Sequence, residues 1–310
     1  MAPLIWLVTG TTSGIGKALI EHIVSRGDKV IASGRNIEAR LGPLKSESLA
    51  LLELDITAGR SNIAAAVAQA WSIFGHIDIL LNNAGMSAMS SAEEASDEYI
   101  STMFNANLFG AMHVTTALLP YLRARGGGAT IGFTSSSTAW TSLPFMSHYA
   151  ASKAALSAYV EALHKEVSPL GIRCVAFECG GFPTHLGQPR ESSSSSIAPP
   201  AFGSELYPAG LGALLSMFGS DPPRFMPGDL SKVAPRIVDV LKREGAAAGR
   251  PWAVRVVFGS DAHASIKQKC DEMLALLDRW KDVSYATDRD GYDHVTSSRY
   301  LETVSILEKE

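Results

Sequence analysis

Short apolar runs alternate with longer amphipathic segments along most of the chain. The apolar runs lie at 4–8, 29–33, 49–54, 77–81, 129–134, 171–178 and 252–257. Strands that are buried on both faces of a parallel sheet have near-continuous apolar sequences of this kind. Between them, segments such as 61–74 and 229–242 carry apolar residues at helical spacing. The alternation predicts an α/β domain with a parallel sheet.

A glycine-rich turn follows the first predicted strand and leads into the first predicted helix. Its sequence is Thr9-Gly10-Thr11-Thr12-Ser13-Gly14-Ile15-Gly16. Gly10 permits a tight exit from the strand, Gly14 lets a ligand approach the backbone, and Gly16 lets helix and strand pack closely. The helix start offers free N–H groups and a positive dipole end to a phosphate.

The strand before this turn and the helix after it favour a dinucleotide-binding site over a purely structural turn. We therefore predict a single doubly wound (Rossmann) domain with a seven-strand parallel sheet in the order 3-2-1-4-5-6-7, flanked by helices. The predicted cofactor-binding residues of the turn are Gly10, Thr12, Ser13, Gly14, Ile15 and Gly16.

The end of the second predicted strand indicates which dinucleotide is bound. Gly34-Arg35-Asn36 follows that strand, with no Asp or Glu at its end. A carboxylate there usually binds the ribose 2′-OH of NAD, whereas an arginine accommodates the 2′-phosphate of NADP. Arg35 and Asn36 are therefore predicted to bind NADP(H). The alternative is that Arg35 is a solvated turn residue and the cofactor is NAD.

Two asparagines follow the fourth predicted strand, in Asn82-Asn83-Ala84-Gly85. Buried amides are costly unless they are hydrogen-bonded. Together with residues 9–16, this motif resembles the short-chain dehydrogenase/reductase family, over about residues 1–283. The chain is most similar to the classical branch with extended C-terminal helices, which includes hydroxysteroid-dehydrogenase-like and microbial secondary-metabolism reductases.

The resemblance implies further cofactor contacts. It places Asn83, Ala84 and Gly85 beside the cofactor ribose, and Asp55 and Ile56 against the adenine. It also places Phe182 and Thr184 beside the nicotinamide carboxamide. Without the resemblance, Asp55 is explained equally well as a helix-capping acid.

Tyr149 and Lys153 are four residues apart and would share one face of a helix. Ser136 lies thirteen residues before Tyr149, at the end of the fifth predicted strand. Reduction of a carbonyl group needs a proton donor, and a free tyrosine has a pKa near ~10. An ammonium one turn away would lower that value, which is the role expected of Lys153.

The resemblance implies roles for four catalytic residues. Tyr149 is the proton donor, Ser136 hydrogen-bonds the substrate oxygen, and Lys153 also binds the nicotinamide ribose. Asn107, in a segment (97–125) predicted as one helix beginning at the capping acid Asp97, would hold a water that links Lys153 to solvent. Ser135 and Ser137 are alternatives for the serine, and a structural amide is the alternative for Asn107.

Cys179 stands where family members usually begin a Pro-Gly pair. A small buried residue is favoured there over a nucleophile, because no base is paired with it in the sequence.

The region from about 185 to 228 is rich in Pro and Ser and is predicted to be a substrate lid. A closing helix is predicted at 261–283, followed by a C-terminal tail at 284–310. Candidates for an apolar substrate pocket are Met86, Trp140, Phe145, Met146, Leu211, Leu215 and Phe218.

Composition excludes several other classes of protein. The net charge of −4 gives no indication of a nucleic-acid or membrane partner. No run of about 18 apolar residues is present, so no membrane span is expected. The three cysteines are unclustered, which favours a cytoplasmic location and argues against a metal site. In the resembled family the helix that follows Lys153 often joins subunits, which implies a homodimer or homotetramer.

These residues favour an NADPH-dependent reductase of a ketone or aldehyde on a largely apolar small molecule, or the reverse dehydrogenase. One alternative in the same fold is a non-redox dehydratase, isomerase or cyclase that uses Tyr149 and Lys153. Another is an NADP-binding scaffold or sensor, which the complete catalytic set disfavours.

Overall fold

Seven parallel strands form one sheet, in the order β3-β2-β1-β4-β5-β6-β7. The computed structural model describes residues 2–87, 89–184, 206–220, 225–292, 300 and 303–306. The strands are β1 (Ile5–Thr9), β2 (Lys29–Gly34), β3 (Leu49–Glu53), β4 (Ile79–Asn82), β5 (Thr130–Ser136), β6 (Arg173–Cys179) and β7 (Arg255–Phe258). The predicted strand number, direction and order are confirmed.

Helices connect the strands and cover the sheet. Their bounds are α1 (Gly14–Ser25), α2 (Ile37–Leu41), α3 (Arg60–Phe74), α4 (Asp97–Phe104), α5 (Gly110–Ala124), α6 (Ser147–Val167), α7 (Pro208–Ser220), α8 (Leu230–Lys242), α9 (Ser260–Arg279) and α10 (Lys281–Tyr285). None of the helices in the described ranges is long and apolar enough to cross a membrane.

The core explains why the apolar runs become central strands. All five residues of β1 are buried, and Trp6, Phe133 and Phe177 are among the largest fully buried side chains. Because the strands are parallel, their carboxyl ends meet at one edge of the sheet, and ligands of such folds bind there. Residues 10–16, 34–36, 83–85 and 136 all lie at that edge.

The segment 97–125 is not the single regular helix that the sequence predicts. A π-helical turn, Asn105–Phe109, separates α4 from α5. The cap also differs, since the Ser96 side chain accepts a hydrogen bond from the Tyr99 N–H at 3.2 Å and Asp97 lies in the first turn. The predicted closing helix likewise divides at Trp280 into α9 and α10.

The predicted lid and tail are covered only in part. Within 185–228, the structure describes α7 and residues 206–207 and 225–228, and the remainder lies outside the described residues. Of the tail, it describes 284–292, 300 and 303–306. The domain boundary at residue 283 remains a prediction.

Candidate active site

The glycine turn is fastened to the loop that follows β4. The Thr9 hydroxyl accepts hydrogen bonds from the backbone N–H groups of Asn83 and Ala84, each at 3.0 Å. The Asn83 amide donates to the carbonyl oxygens of Thr9 and Gly10, each at 3.1 Å. These hydrogen bonds therefore join the glycine-rich turn and the loop that contains Asn83 into one unit.

The N-terminus of α1 fits a phosphate group. Ser13 precedes the helix in extended conformation, and its side chain makes no capping hydrogen bond, so the N–H groups of the first turn are not capped by it. Gly14 has a φ of +54°, and a Cβ there would lie 3.2 Å from Thr184 Cγ2. A side chain at position 14 would therefore fill the narrow space between this turn and the loop after β6.

In addition to Arg35, a second basic side chain, that of Arg40, lies beside the glycine turn. Arg35 follows β2 and is partly exposed, and its guanidinium forms no hydrogen bond or ion pair within the described ranges. Arg40, in α2, donates to the Thr12 hydroxyl at 3.3 Å. The sequence reasoning missed Arg40, because its approach to Thr12 is a tertiary contact. Two guanidinium groups could thus reach an anion at this edge.

The acid at the end of β3 faces the same region. Glu53 accepts hydrogen bonds from the N–H groups of Asn36 and Ile37, at 2.8 and 3.0 Å. Asn36 has a φ of +51°, in the left-handed region that asparagine tolerates. Glu53 thus fixes the start of α2, and the Asn36 backbone N–H is already occupied.

The predicted adenine contacts lie at the mouth of this cleft. The Asp55 carboxylate accepts from the N–H and hydroxyl of Thr57, at 2.8 and 2.7 Å. These bonds form a local turn of the kind that Asp commonly makes. Ile56 packs against Gly110, where a Cβ would lie 2.7 Å from the Ile56 carbonyl oxygen.

Three of the predicted catalytic side chains converge where β5 ends. Ser136 is the last residue of β5, and its hydroxyl lies near enough to the Tyr149 phenol to act on its pKa. Lys153 Nζ donates to the Thr134 carbonyl oxygen at 2.8 Å and lies 6.0 Å from the Tyr149 ring centre. Of the alternative serines, Ser135 instead bonds the Ser157 hydroxyl at 2.7 Å.

Burial dominates the protonation of this group. It raises the pKa of Tyr149 to about 12, against the lowering effect of the Ser136 hydrogen bond. It also lowers the pKa of Lys153 to about 8. The sequence-based expectation that Lys153 lowers the pKa of Tyr149 is therefore wrong for the cofactor-free protein. The reason is that removal from water disfavours both charged forms.

Asn107 lies in the π-helical turn and is almost completely buried, at 1% exposure. Its amide accepts from the Met86 N–H at 2.8 Å and donates to the Met86 carbonyl oxygen at 2.9 Å and the Ser152 hydroxyl at 3.0 Å. These bonds hold the loop after β4 against α6. The side chain therefore has a positioning function, whether or not a water also binds nearby.

Glycine at position 85 is required by the same contacts. A Cβ on Gly85 would lie 2.9 Å from Asn107 Oδ1 and 3.5 Å from Lys153 Nζ. The predicted ribose-binding loop thus lies directly against two predicted catalytic residues.

The loop after β6 is anchored by Asp261, which the sequence placed only at the cap of the closing helix. The Asp261 carboxylate, in the first turn of α9, accepts from the Gly181 N–H at 2.7 Å. A Cβ on Gly180 would lie 2.4 Å from Asp261 Oδ1. This contact positions the start of the segment that carries Phe182 and Thr184. Cys179, just before it, is buried, and burial raises the pKa of its thiol to about 12.

Apolar side chains surround the Tyr149 ring. Tyr149, Tyr99 and Met103 form a buried cluster, against which Met86 and Met146 pack. Of the other predicted pocket residues, Trp140 lies elsewhere, with its ring 4.9 Å from the Arg255 guanidinium carbon. The side chains of Leu215 and Phe218 lie outside the described residues.

A cavity of about 580 Å³ lies on a different face of α6 from Tyr149 and Lys153. Phe145, Tyr207 and Ala151 are among its lining residues, whereas Asn107, Ser136, Tyr149 and Lys153 do not line it.

Comparisons with known proteins agree with this geometry. A sequence model of the short chain dehydrogenase family matches residues 5–195. The chain is 34% identical over 193 residues to a 3-ketodihydrosphingosine reductase of Bacteroides thetaiotaomicron, covering 62% of this chain and 69% of that protein. It is 33% identical over 196 residues to an NADPH-dependent 1-acyldihydroxyacetone phosphate reductase of Saccharomyces cerevisiae, covering 62% and 65%.

Among solved structures, a short-chain dehydrogenase from Streptomyces avermitilis superposes with a TM-score of 0.78 and 31% identity. The match covers 93% of this chain and 99% of the other.

Proposed function

Because the chain belongs to the short-chain dehydrogenase family, we propose that it is an NADPH-dependent reductase of a ketone or aldehyde on a largely apolar small molecule. The observation that carries this proposal is the convergence of Ser136, Tyr149 and Lys153 beside the glycine turn. An oxidoreductase needs a proton donor at the place where a dinucleotide is held, and these residues provide one.

NADPH is proposed as the cofactor because two guanidinium groups border the predicted ribose end of the cleft. Arg35 follows β2 and Arg40 contacts Thr12. A 2′-phosphate accepts paired hydrogen bonds from a guanidinium. The residues proposed to hold the cofactor are Gly10, Thr12, Ser13, Gly14, Ile15, Gly16, Arg35, Asn36, Asp55, Ile56, Asn83, Ala84, Gly85, Tyr149, Lys153, Phe182 and Thr184. When bound, NADPH supplies the hydride.

The side chains of this chain then supply the proton and stabilise charge. The Tyr149 phenol is neutral at physiological pH, since burial holds its pKa near 12, and it gives its proton to the substrate oxygen. The Ser136 hydroxyl donates a hydrogen bond to the same oxygen as negative charge develops there. The Lys153 ammonium stabilises the phenolate that Tyr149 becomes. Asn107 holds the Met86 backbone against this group.

An apolar substrate is proposed from the surroundings of Tyr149. Met86, Met103 and Met146 pack around its ring, and methionine side chains adapt to irregular apolar shapes. Two relatives are named as reductases of 3-ketodihydrosphingosine and of 1-acyldihydroxyacetone phosphate, which supports the same direction of reaction.

Isotope transfer tests this function directly. The protein would be incubated with NADPH carrying deuterium at the transferred position and with a panel of apolar ketones and aldehydes. We expect NADPH consumption and an alcohol that carries deuterium on the former carbonyl carbon. Product formed without NADPH consumption or label would instead establish the non-redox alternative.

A further inference from the structure

A buried carboxylate lies behind the catalytic group. Glu178, in β6, is fully buried. Its Oε1 accepts hydrogen bonds from the Ser157 hydroxyl and from Arg255 Nη1, each at 2.9 Å. Ser157 lies one helical turn after Lys153, on α6. The carboxylate is therefore fixed between the sheet and the helix that carries the catalytic pair.

Hydrogen bonds continue from this carboxylate to Lys153. The Ser157 hydroxyl is 2.7 Å from that of Ser135, the strand residue paired with Glu178 in the sheet. Because Ser157 donates its one proton to Glu178, Ser135 is the donor in this contact, and it shares that proton with the Lys153 carbonyl oxygen at 3.4 Å. On the strand, Ser135 lies between Thr134, whose carbonyl oxygen binds Lys153 Nζ, and Ser136.

Arg255 is shared by two carboxylates, of which only Glu178 is fully buried. Arg255 bonds both Glu178 and Glu161, so one cation serves two carboxylates. Burial raises the pKa of Glu178, and the opposing effects of Arg255, Ser157 and Trp140 offset this rise only in part. Glu161 is partly exposed and can be solvated by water, whereas Glu178 depends on the protein groups around it.

Other titratable side chains lie on the elements packed around this site. Tyr149 on α6 and Cys179 on β6 stay neutral, because burial raises each pKa to about 12. Asp261 on α9 is held by the Gly181 N–H. Cys179 and Glu178 would both favour the charged form of Lys153 when they are ionised, and the Cys179 thiol is not ionised at neutral pH.

We propose that Glu178 is a positioning residue of this site: its carboxylate, held by Arg255 and Ser157, fixes the Lys153 turn of α6 against β5 and keeps the Lys153 ammonium charged. The inference rests on the proposed catalytic role of Lys153. By this inference, a residue buried in a central strand takes part in proton transfer through Lys153.

The test measures the titration of Lys153 in the cofactor-free protein. Lysines would be labelled with ¹³C at Cε, and a Lys153→Arg variant would assign the resonance. In Glu178→Gln we expect the midpoint to move to lower pH by about one unit, the usual effect of losing a nearby opposite charge. Glu161→Gln is the matched control, since it removes a carboxylate from Arg255 without removing Glu178, and it should leave the midpoint unchanged.

A folded Glu178→Gln protein with an unchanged or raised Lys153 midpoint would overturn the inference. If Glu178→Gln does not fold because Arg255 is left in surplus, the double variant Glu178→Gln/Arg255→Gln carries the same test; a smaller fall is expected, because the Arg255 charge that opposes the Lys153 ammonium is removed as well.

The measurement needs no substrate, so it is independent of the reductase assignment. A shifted midpoint in a protein that transfers no hydride would support this inference and reject the proposed function. Hydride transfer with an unshifted Lys153 midpoint would support the proposed function and reject this inference.

Discussion

The ammonium nitrogen of Lys153 lies 6.0 Å from the centre of the Tyr149 ring, and its hydrogen bond goes to the Thr134 carbonyl oxygen instead of the phenol. Both side chains are at least 94% buried, with Tyr149 at 6% exposure and Lys153 at 4%. In the cofactor-free protein burial therefore shifts both pKa values towards the neutral forms, although at neutral pH only the phenol is neutral, since the pKa of Lys153 is about 8. A protonated phenol is the state that reduction of a carbonyl requires.

Replacing Tyr149 by phenylalanine removes the proposed proton donor and keeps the ring. We expect Tyr149→Phe to lower kcat by about 10²- to 10⁴-fold, the usual contribution of a positioned general acid. NADPH affinity should stay nearly the same, because the buried ring still packs on Tyr99 and Met103. Consumption of NADPH and its dissociation constant would be measured separately.

Tyr159→Phe is the matched control for that change. Tyr159 is also on α6, and its buried hydroxyl has no hydrogen-bond partner among the described residues. Its removal should leave turnover intact. Retained turnover in Tyr149→Phe would mean that another group donates the proton.

The pH dependence of reduction should follow Lys153. Burial lowers the pKa of Lys153 to about 8, so its ammonium is present below that pH and lost above it. Because the phenol of Tyr149 stays protonated until about 12, loss of the ammonium is the first change on raising the pH. We therefore expect kcat/KM for NADPH, which reports the free enzyme, to fall as pH rises through about 8.

Measurement at saturating ketone between about pH 6 and about pH 10 checks this expectation. A profile that stays flat throughout would show that the charge of Lys153 is not required. A profile that rises with pH would contradict the assigned roles of both side chains.

The sheet could be predicted from sequence because its strands are short, apolar and buried on both faces. The runs around Trp6, Phe133 and Phe177 need no tertiary information to be recognised. The glycine turn was equally visible, because its function depends on the local backbone. The Gly14 φ of +54° is a local property of that kind.

The rest of the site depends on contacts between distant segments. The π-helical turn around Asn107 forms where the amide bonds Met86, 21 positions earlier. Glu178 is bonded to Arg255, 77 positions later, so the pattern of the strand alone could not predict a role for Glu178. Arg40 was missed for the same reason. Burial also decided the pKa of Tyr149, and burial of one side chain follows only from the complete fold.

Reversing the charge of Arg35 tests the cofactor assignment. Hydrogen bonds to charged groups contribute about 1.5–3 kcal/mol, which is about ten- to hundredfold in Kd. We expect Arg35→Asp to raise the Kd of NADPH by at least this factor and to change the Kd of NADH much less. Arg40→Gln should have a smaller effect in the same direction, since Arg40 also donates to Thr12. Binding would be followed by nicotinamide fluorescence.

The control for this charge change is Arg123→Asp. Arg123 is exposed near the end of α5, just before β5 begins, and so lies at the opposite edge of the sheet. Arg123→Asp should leave the Kd of NADPH and the Kd of NADH unchanged. Equal losses of NADPH and NADH affinity in Arg35→Asp would remove the basis for assigning NADPH.

Substitution of Asn107 by aspartate should show that this amide positions the site. The carboxylate would place an oxygen where Asn107 Nδ2 now donates to the Met86 carbonyl oxygen, and that oxygen would lose its partner. At 1% exposure water cannot replace the bond, so we expect the free energy of unfolding to fall by at least about 1–3 kcal/mol. Turnover should fall as well, because the Met86 segment adjoins Gly85 and Lys153.

Asn105→Asp is the matched control. Asn105 is an exposed position in the same π-helical turn, and its substitution should change the free energy of unfolding by no more than about 0.5 kcal/mol. Equal losses in the two variants, measured by urea denaturation, would mean that a negative charge destabilises this turn at either position and that the Met86 contacts are not what stabilises it.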